Sequence, residues 1–308
     1  MVSKVTRPQP SNTVEVEGVR ITHPERVLYP DAGITKHALA SYFAEVAPRM
    51  LPHVEGRPLT LVRCPTGLAG GCFYMKHSKV WAPPALERVE IQEKTKIGTY
   101  LVAGSAAALV SLAQMDVLEI HTWNSRVERL EEPDRVVFDI DPGPEVEWPQ
   151  VVAAARVVRT ALAALDLNSF PKTTGGRGLH VVVPLVPSAS WAQCLAFARA
   201  VAARMEAADP GLYTTEFAKA GREHKLLIDY LRNNRTNTSV AAWSPRARPA
   251  GPVSMPIAWR DVRPGFDPST LTLPSVVTRL ARSGDPWDGY WTCRQRLTAT
   301  RLRAVGAS

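Results

Sequence analysis

Long apolar runs are missing from this 308-residue chain, and cysteine is scarce. No stretch approaches the roughly 18 uncharged residues that a membrane-spanning helix requires. The opening MVSKVTRPQPSN has no apolar stretch of the kind a secretory signal peptide needs. These absences place the expected protein in the cytoplasm, with no membrane partner. The four cysteines, Cys64, Cys72, Cys194 and Cys293, include no CxxC pair, which argues against a disulfide framework and a zinc ribbon alike. Cys64, Cys72 and His77 lie close in sequence, but their spacing matches no common zinc template and a fourth ligand is missing. Structural thiols are the expectation.

A hydrophobic content of 45% is enough to bury one large core or two modest ones. The 37 Lys and Arg exceed the 29 Asp and Glu, and the resulting net charge of +8 suits a polyanionic partner without requiring one.

The order of elements along the chain reads as α/β, with no linker or repeat to divide it. Residues 1–14 are polar and read as a disordered tail, 15–302 as a single domain, and 303–308 as a second, featureless tail. Apolar residues at helical spacing run from Ala38 to Met50 after the turn PDAGITK, which puts Lys36 near a helix start. Leu59–Val62 reads as a strand. The Ala-rich stretch from Ala103 to Ile120 carries Gly104, Ser105, Ser111, Gln114, Asp116 and Glu119, and reads as a helix of a soluble core.

The middle of the chain holds the chemistry. The β-branched run from Arg135 ends in a Pro-Gly turn at Gly143, so Asp139 and Asp141 fall on the last residues of a strand. Residues two apart on a strand share a face, and two carboxylates held together in this way favour a divalent cation between them. Oxygen-only ligands select Mg²⁺ or Mn²⁺ over zinc. A solvated strand end with two acidic caps has the same local pattern. After an amphipathic helix, about Trp148 to Leu165, comes FPKTTGGRGLHVVVP, which reads as strand, Gly-rich turn and strand. Gly175, Gly176 and Gly178 let backbone amides approach an anion, while Thr174, Arg177 and His180 supply phosphate donors. The turn is neither a Walker A loop nor a dinucleotide fingerprint, since no GK[ST] follows and the next element is a strand. An ordinary hairpin with a satisfied histidine is its plainer reading. A third acidic strand end, Asp229, completes the parts needed for two-metal phosphoryl transfer. Arg232, Arg235, Arg246 and Arg248 then offer bidentate partners for phosphate.

The succession FDIDPG, TTGGRGLHVVVPL and LIDYLRNN, followed by SPRARP and VSMPIAW, resembles the polymerase domain of bacterial ligase D, a branch of the archaeo-eukaryotic primase superfamily. The resemblance runs from about Val19 to about Trp287. It implies an α+β primase-like polymerase core with antiparallel-rich mixed sheets and flanking helices. It also implies a template-dependent nucleotidyltransferase that fills gaps and extends ends in double-strand break repair by non-homologous end joining. By that resemblance Asp139, Asp141 and Asp229 bind the catalytic Mg²⁺ or Mn²⁺, while Thr174 and His180 hold the incoming NTP or dNTP with Arg246, and His121 lies near the active centre. A basic pocket with Arg26 and Lys36 takes a downstream 5′-phosphate. Relatives commonly have asparagine and, three residues on, lysine where this chain has His23 and Arg26. Phe73 and Tyr74 resemble an aromatic pair that stacks on template DNA, and Arg235 joins the DNA-binding set.

Ligase chemistry needs a lysine nucleophile in a KxDG-type motif, and none occurs here. The expectation is therefore a stand-alone, nucleoid-associated polymerase domain, with a Ku-type protein and an ATP-dependent DNA ligase as separate partners. A metal-dependent phosphoesterase and a non-catalytic DNA-end-binding module are the competing readings. The Gly175–His180 turn favours the polymerase over the first, and the three aspartates favour it over the second.

Overall fold

The structure is a computed structural model that describes residues 12–78, 81–282 and 284–307. Its centre is a five-stranded sheet in the order Phe170–Thr173, Leu179–Pro184, Arg135–Pro142, Leu226–Asp229 and Tyr213–Thr214. Only the last pair is parallel. The β-branched and aromatic run Val136, Val137, Phe138 and Ile140 is wholly buried, as suits a strand covered on both faces. Two long amphipathic helices, α3 (Trp148–Ala163) and α4 (Trp191–Ala208), pack against one face, where Phe138 meets Phe197 edge to face. Because strand side chains alternate, the opposite face is left to Val137, Asp139 and Asp141.

A four-stranded antiparallel sheet, Ser239–Val240, Val117–Thr122, Leu59–Arg63 and Phe73–Met75, forms the second layer. Helix α1 (Lys36–Val54) packs on α2 (Ala106–Gln114), which also contacts the Val117–Thr122 strand. Thr35 caps α1 by accepting a hydrogen bond from the Ala38 amide, and Ser105 caps α2 in the same way through Ala108. The two layers are joined through Asn233, whose side chain both donates to and accepts from the Val137 backbone at 2.8 Å. Asn124 in turn donates to Asn233 and to the Arg232 carbonyl, which fixes the short 3₁₀ turn Leu231–Asn233.

Several sequence expectations are corrected. The helix expected through Ile120 ends at Gln114, and Val117–Thr122 is a strand. Asp116, at φ 61°, turns the chain between them, and the residues beyond the alanines are β-formers. The C-terminal tail is α6 (Ala299–Val305), capped by Thr298 and docked through Leu302 and Val305. Helix α5 (Leu273–Leu280) precedes it. Thr13 and Val14, assigned to the N-terminal tail, already belong to a hairpin strand, Thr13–Val16, while residues 1–11 lie outside the described residues. Cys64 and Cys72 form a disulfide and are not free thiols. They come together because Arg63 and Phe73 are register partners on antiparallel strands, so the next residue on each side falls opposite the other. His77 pairs with Glu93 at 3.0 Å.

Candidate active site

Strand register assembles the site. Asp139 pairs with His180 on one side and Asp229 on the other, and His180 pairs in turn with Lys172. Cross-strand partners share a face. Lys172, His180, Asp139 and Asp229 therefore form one row across four strands, with Asp141 two residues on from Asp139. Asp139, Asp141 and His180 border a cleft of about 330 Å³ between the two sheets.

Charges in this row are only partly balanced. Burial opposes ionisation of Asp139, but the nearby His180 and Arg232 outweigh it and hold the carboxyl well below the usual range. His180 Nε2 lies 3.2 Å from one Asp139 oxygen, and Arg232 Nε lies 3.0 Å from the other. The same Arg232 nitrogen is 3.1 Å from Asp229. Burial raises Asp229 to about 6, and Arg232 only partly counters it. Asp141 is also raised, by burial and by Asp139, although Arg222 approaches at 3.5 Å. His180 is pushed down to about 4 by burial and by Lys172, so it is neutral at physiological pH. Lys172 is itself buried, which pushes its amine well below the usual lysine range, and its Nζ donates to Ser254 Oγ at 2.5 Å.

The Gly-rich turn crosses the mouth of the cleft. Gly175 has φ 66°, and a Cβ there would stand 2.5 Å from Arg246 Cγ; at Gly178 it would stand 2.4 Å from the Ile140 carbonyl oxygen. No other residue fits either place. Thr174 Oγ1 accepts from the Gly176 amide and donates to Gly178, so its hydroxyl shapes the turn. Arg177 is spent on the carbonyls of Gly143, Pro144 and Val146, which staples the turn to the loop after Asp141. Gly176, Arg246 and Arg248 line the cleft beside it.

The four-stranded sheet supplies the facing wall. Glu119, His121 and Tyr74 share a face, through the pairs Val62 with Glu119, Thr60 with His121 and Val62 with Tyr74. His121 Nε2 is 2.6 Å from Glu119, and its ring is edge-on to Tyr74 at 6.0 Å. The other Glu119 oxygen is ion-paired with Arg246, 2.9 Å from Nε, and accepts a hydrogen bond from the Ala247 amide at 3.0 Å. Burial opposes ionisation of Glu119, but His121 and Arg246 bring it down to about 2.

The structure does not bring every expected residue to the cleft. Arg26 and Lys36 do converge, but on Asp116: Arg26 pairs with it directly, and the buried Lys36 reaches it at 3.1 Å while donating to the Gln114 carbonyl. Arg235 is turned toward Glu131 and the Trp123 ring. Phe73 lies on the sheet face opposite Tyr74. Conversely, Lys172, Arg222 and Glu119 were not singled out from the sequence. Lys172 lies two residues before Thr174, inside a motif already noted, and pairing across the hairpin with His180 could have found it; Glu119 and Arg222 carry no local signal.

Three oxygen donors on one face, two with raised affinity for protons, carry more negative charge than the adjacent guanidinium groups satisfy. That donor set fits a hard divalent cation. Among the described residues no three such ligands are gathered at one point, because Arg232 stands between Asp139 and Asp229.

Comparison with known proteins gives one answer. The model of the LigD primase-polymerase domain matches residues 35–287. The chain is 35% identical, over 94% of its length, to the multifunctional non-homologous end joining protein LigD of Pseudomonas aeruginosa. It is 36% identical, over 92% of its length, to the protein of the same name from Mycolicibacterium smegmatis. It covers 35% and 38% of those proteins, and so spans little more than a third of each. The polymerase domain of Mycobacterium tuberculosis ligase D, solved in complex with DNA, matches with a TM-score of 0.82 at 36% identity, covering 87% of this chain and 96% of that one. With a family match spanning both sheets and the cleft between them, this chain belongs to the LigD primase-polymerase domain family.

Proposed function

We propose that this chain is a template-dependent nucleotidyltransferase that adds nucleotides from NTP or dNTP to a primer end at gaps or breaks in DNA. The observation that carries the reading is the register that sets Asp139, Asp229 and His180 side by side beneath a glycine turn and two arginines. Asp139, Asp141 and Asp229 would hold Mg²⁺ or Mn²⁺, which when bound neutralises the attacking and leaving oxygens of phosphoryl transfer.

The chain's own residues do the positioning. Gly176 lets a phosphate oxygen approach the backbone, and Arg246 and Arg248 supply charge-assisted donors to the triphosphate. Glu119 holds Arg246 at 2.9 Å, so the guanidinium is oriented before the nucleotide arrives. His180, neutral and fixed against Asp139, keeps that carboxylate ionised and turned to the cleft. Arg232, at 3.0 Å from Asp139 and 3.1 Å from Asp229, balances both carboxylates. Tyr74 offers a ring face where a template base would lie. Arg26, projecting from the Asp116 cluster, supplies the 5′-phosphate contact on the downstream strand. The relatives' names support a role in non-homologous end joining; the partners in this reading are a Ku-type end-binding protein and an ATP-dependent ligase. We read the chain from Thr13, in the first hairpin strand, to Val305, at the end of α6, as one polymerase domain.

The test is primer extension on a gapped duplex bearing a 5′-phosphate, with NTPs and dNTPs supplied separately in Mg²⁺ and in Mn²⁺. Templated addition that depends on the metal is the expected result. Hydrolysis of the DNA without addition would mark the chain as a phosphoesterase.

A further inference from the structure

The Cys64–Cys72 disulfide spans the two halves of the N-terminal cluster. Cys64 follows the strand Leu59–Arg63 and Cys72 precedes Phe73–Met75, so the bond closes residues 65–71 into a loop on the ends of two paired strands. One end of the loop holds Asp116. Arg63 Nε donates to the Met115 carbonyl at 2.7 Å and the Cys64 amide donates to the Asp116 carbonyl at 2.9 Å, which pins the left-handed turn bearing that carboxylate. The body of the loop holds Arg26. The Gly67 amide donates to the Cys64 carbonyl at 2.9 Å, and Gly67 lies so close to the strand Val27–Tyr29 that a Cβ on it would stand 2.8 Å from the Val27 carbonyl oxygen. Arg26 is the residue before that strand, and its carbonyl accepts from the Lys36 amide at 2.8 Å.

Access to the bond is uneven. Cys64 is fully buried, whereas Cys72 is exposed. Cys194 and Cys293 form no bond, and Cys194 is buried. Disulfides last in oxidising surroundings and open where thiols are kept reduced, and the exposed ones are the labile ones. A bond placed in this way answers to redox state at a point where the answer reaches Arg26, Lys36 and Asp116 through one short loop.

We propose that the Cys64–Cys72 bond is a redox switch on binding of a 5′-phosphate. Closed, it holds Gly67 against the Val27–Tyr29 strand and keeps Arg26 at the spacing from Lys36 and Asp116 that receives the phosphate. Open, it frees the loop, and the contact weakens. Opening is a two-electron reduction by a dithiol: one thiolate attacks Cys72 Sγ, the bond to Cys64 Sγ breaks, and the second thiol of the reductant closes its own disulfide. Cys64 and Cys72 each take a proton and end as thiols. The main-chain pairing of Arg63 with Phe73 remains in both states, so the strand edge stays in place. The inference rests on the reading of Arg26 as the 5′-phosphate contact.

The test is fluorescence anisotropy on two gapped duplexes that differ only in carrying a 5′-phosphate or a 5′-hydroxyl. It compares the unreduced protein, the protein treated with dithiothreitol and Cys72→Ser, all in a Cys293→Ser background, with alkylation and mass spectrometry reporting the state of the bond. The unreduced protein should prefer the phosphate by about tenfold, and reduction should cut that preference to about threefold or less. Cys72→Ser should bind as the reduced protein does, with or without dithiothreitol. Affinity for the 5′-hydroxyl gap should be the same in every state. Free Cys64 and Cys72 thiols in the unreduced protein, or equal losses on both gaps, would overturn the switch. A preference that Arg26→Ala abolishes and dithiothreitol leaves intact would overturn the switch and keep the reading of Arg26. No preference in the unreduced protein would overturn both.

Discussion

Two clusters in this protein use the same components with opposite residual charge. In the cleft, Asp139, Asp141 and Asp229 face Arg232 and Arg222, so carboxylates outnumber the guanidinium groups that touch them. At the N-terminal cluster, Arg26 and Lys36 share the single carboxylate of Asp116. Each holds close ion pairs, and counting salt bridges alone would call them alike. What separates them is the charge left over: the first has an unmet demand for a cation, and the second for an anion. A ligand is attracted to the imbalance, not to the pairs.

The largest effect should come from removing the excess negative charge of the cleft. Replacing Asp139 or Asp141 with Ala should reduce primer extension by about a thousandfold or more, since the site then loses a ligand for the cation that stabilises both reacting oxygens. DNA affinity measured by anisotropy should stay within about twofold of wild type, because removing negative charge does not weaken phosphate contacts. Retained extension in both variants would end the comparison.

Next in size are the residues that position the nucleotide. Arg246→Ala and His180→Ala should raise the KM for the incoming nucleotide by about ten- to a hundredfold, the cost of one charge-assisted or buried polar contact. Arg246→Ala should also lower the melting temperature, because buried Glu119 loses its guanidinium and keeps only His121 and the Ala247 amide. Steady-state kinetics and thermal melting together check both effects.

How much of this was legible in the sequence differs between the two clusters for a physical reason. Asp139 and Asp141 could be placed on one face because the period of a strand is two, and His180 could be placed beside a Gly-rich turn by the same local rules. The pairing of Asp139 with Asp229, 90 residues on, follows from sheet order, which local patterning does not encode. That is why Arg232 appeared only as one of four loop arginines, when it is the counter-ion of two aspartates. Asp116 was read as a charge on a helix, because the Ala-rich run masked the left-handed turn that ends it. Arg26 and Lys36 were read as a free basic pair for the same reason: their shared carboxylate lies about 80 to 90 residues away. The Cys64–Cys72 bridge was missed because it depends on which strands are neighbours.

The N-terminal cluster gives a smaller and opposite effect. Arg26→Ala should remove a preference of about tenfold, roughly 1.4 kcal/mol, for a gap with a 5′-phosphate over one with a 5′-hydroxyl. Asp116→Asn should strengthen that preference by freeing both cations, and higher salt should weaken it. Lys36 is buried and is a poor probe, since its loss would leave Asp116 partly unpaired. Binding titrations on the paired gaps decide the point.

The smallest effect lies away from both clusters and serves as a control on them. His53 is packed among Trp287, Tyr290 and Trp291, and burial, with Arg135 and Arg57 nearby, holds it well below its usual 6.5. The unfolded chain takes up this proton near 6.5 while the folded chain does not, so stability should fall as pH drops below about 6.5. His53→Phe should flatten that part of the stability profile without changing extension at neutral pH.

The most direct test of the comparison is binding of Mn²⁺ to the DNA-free protein, followed by electron paramagnetic resonance. Wild type should bind Mn²⁺, Asp139→Ala and Asp229→Asn should bind it at least about tenfold more weakly, and Asp116→Asn should match wild type. Equal Mn²⁺ affinity in all four proteins would contradict the assignment of the residual negative charge to the cleft.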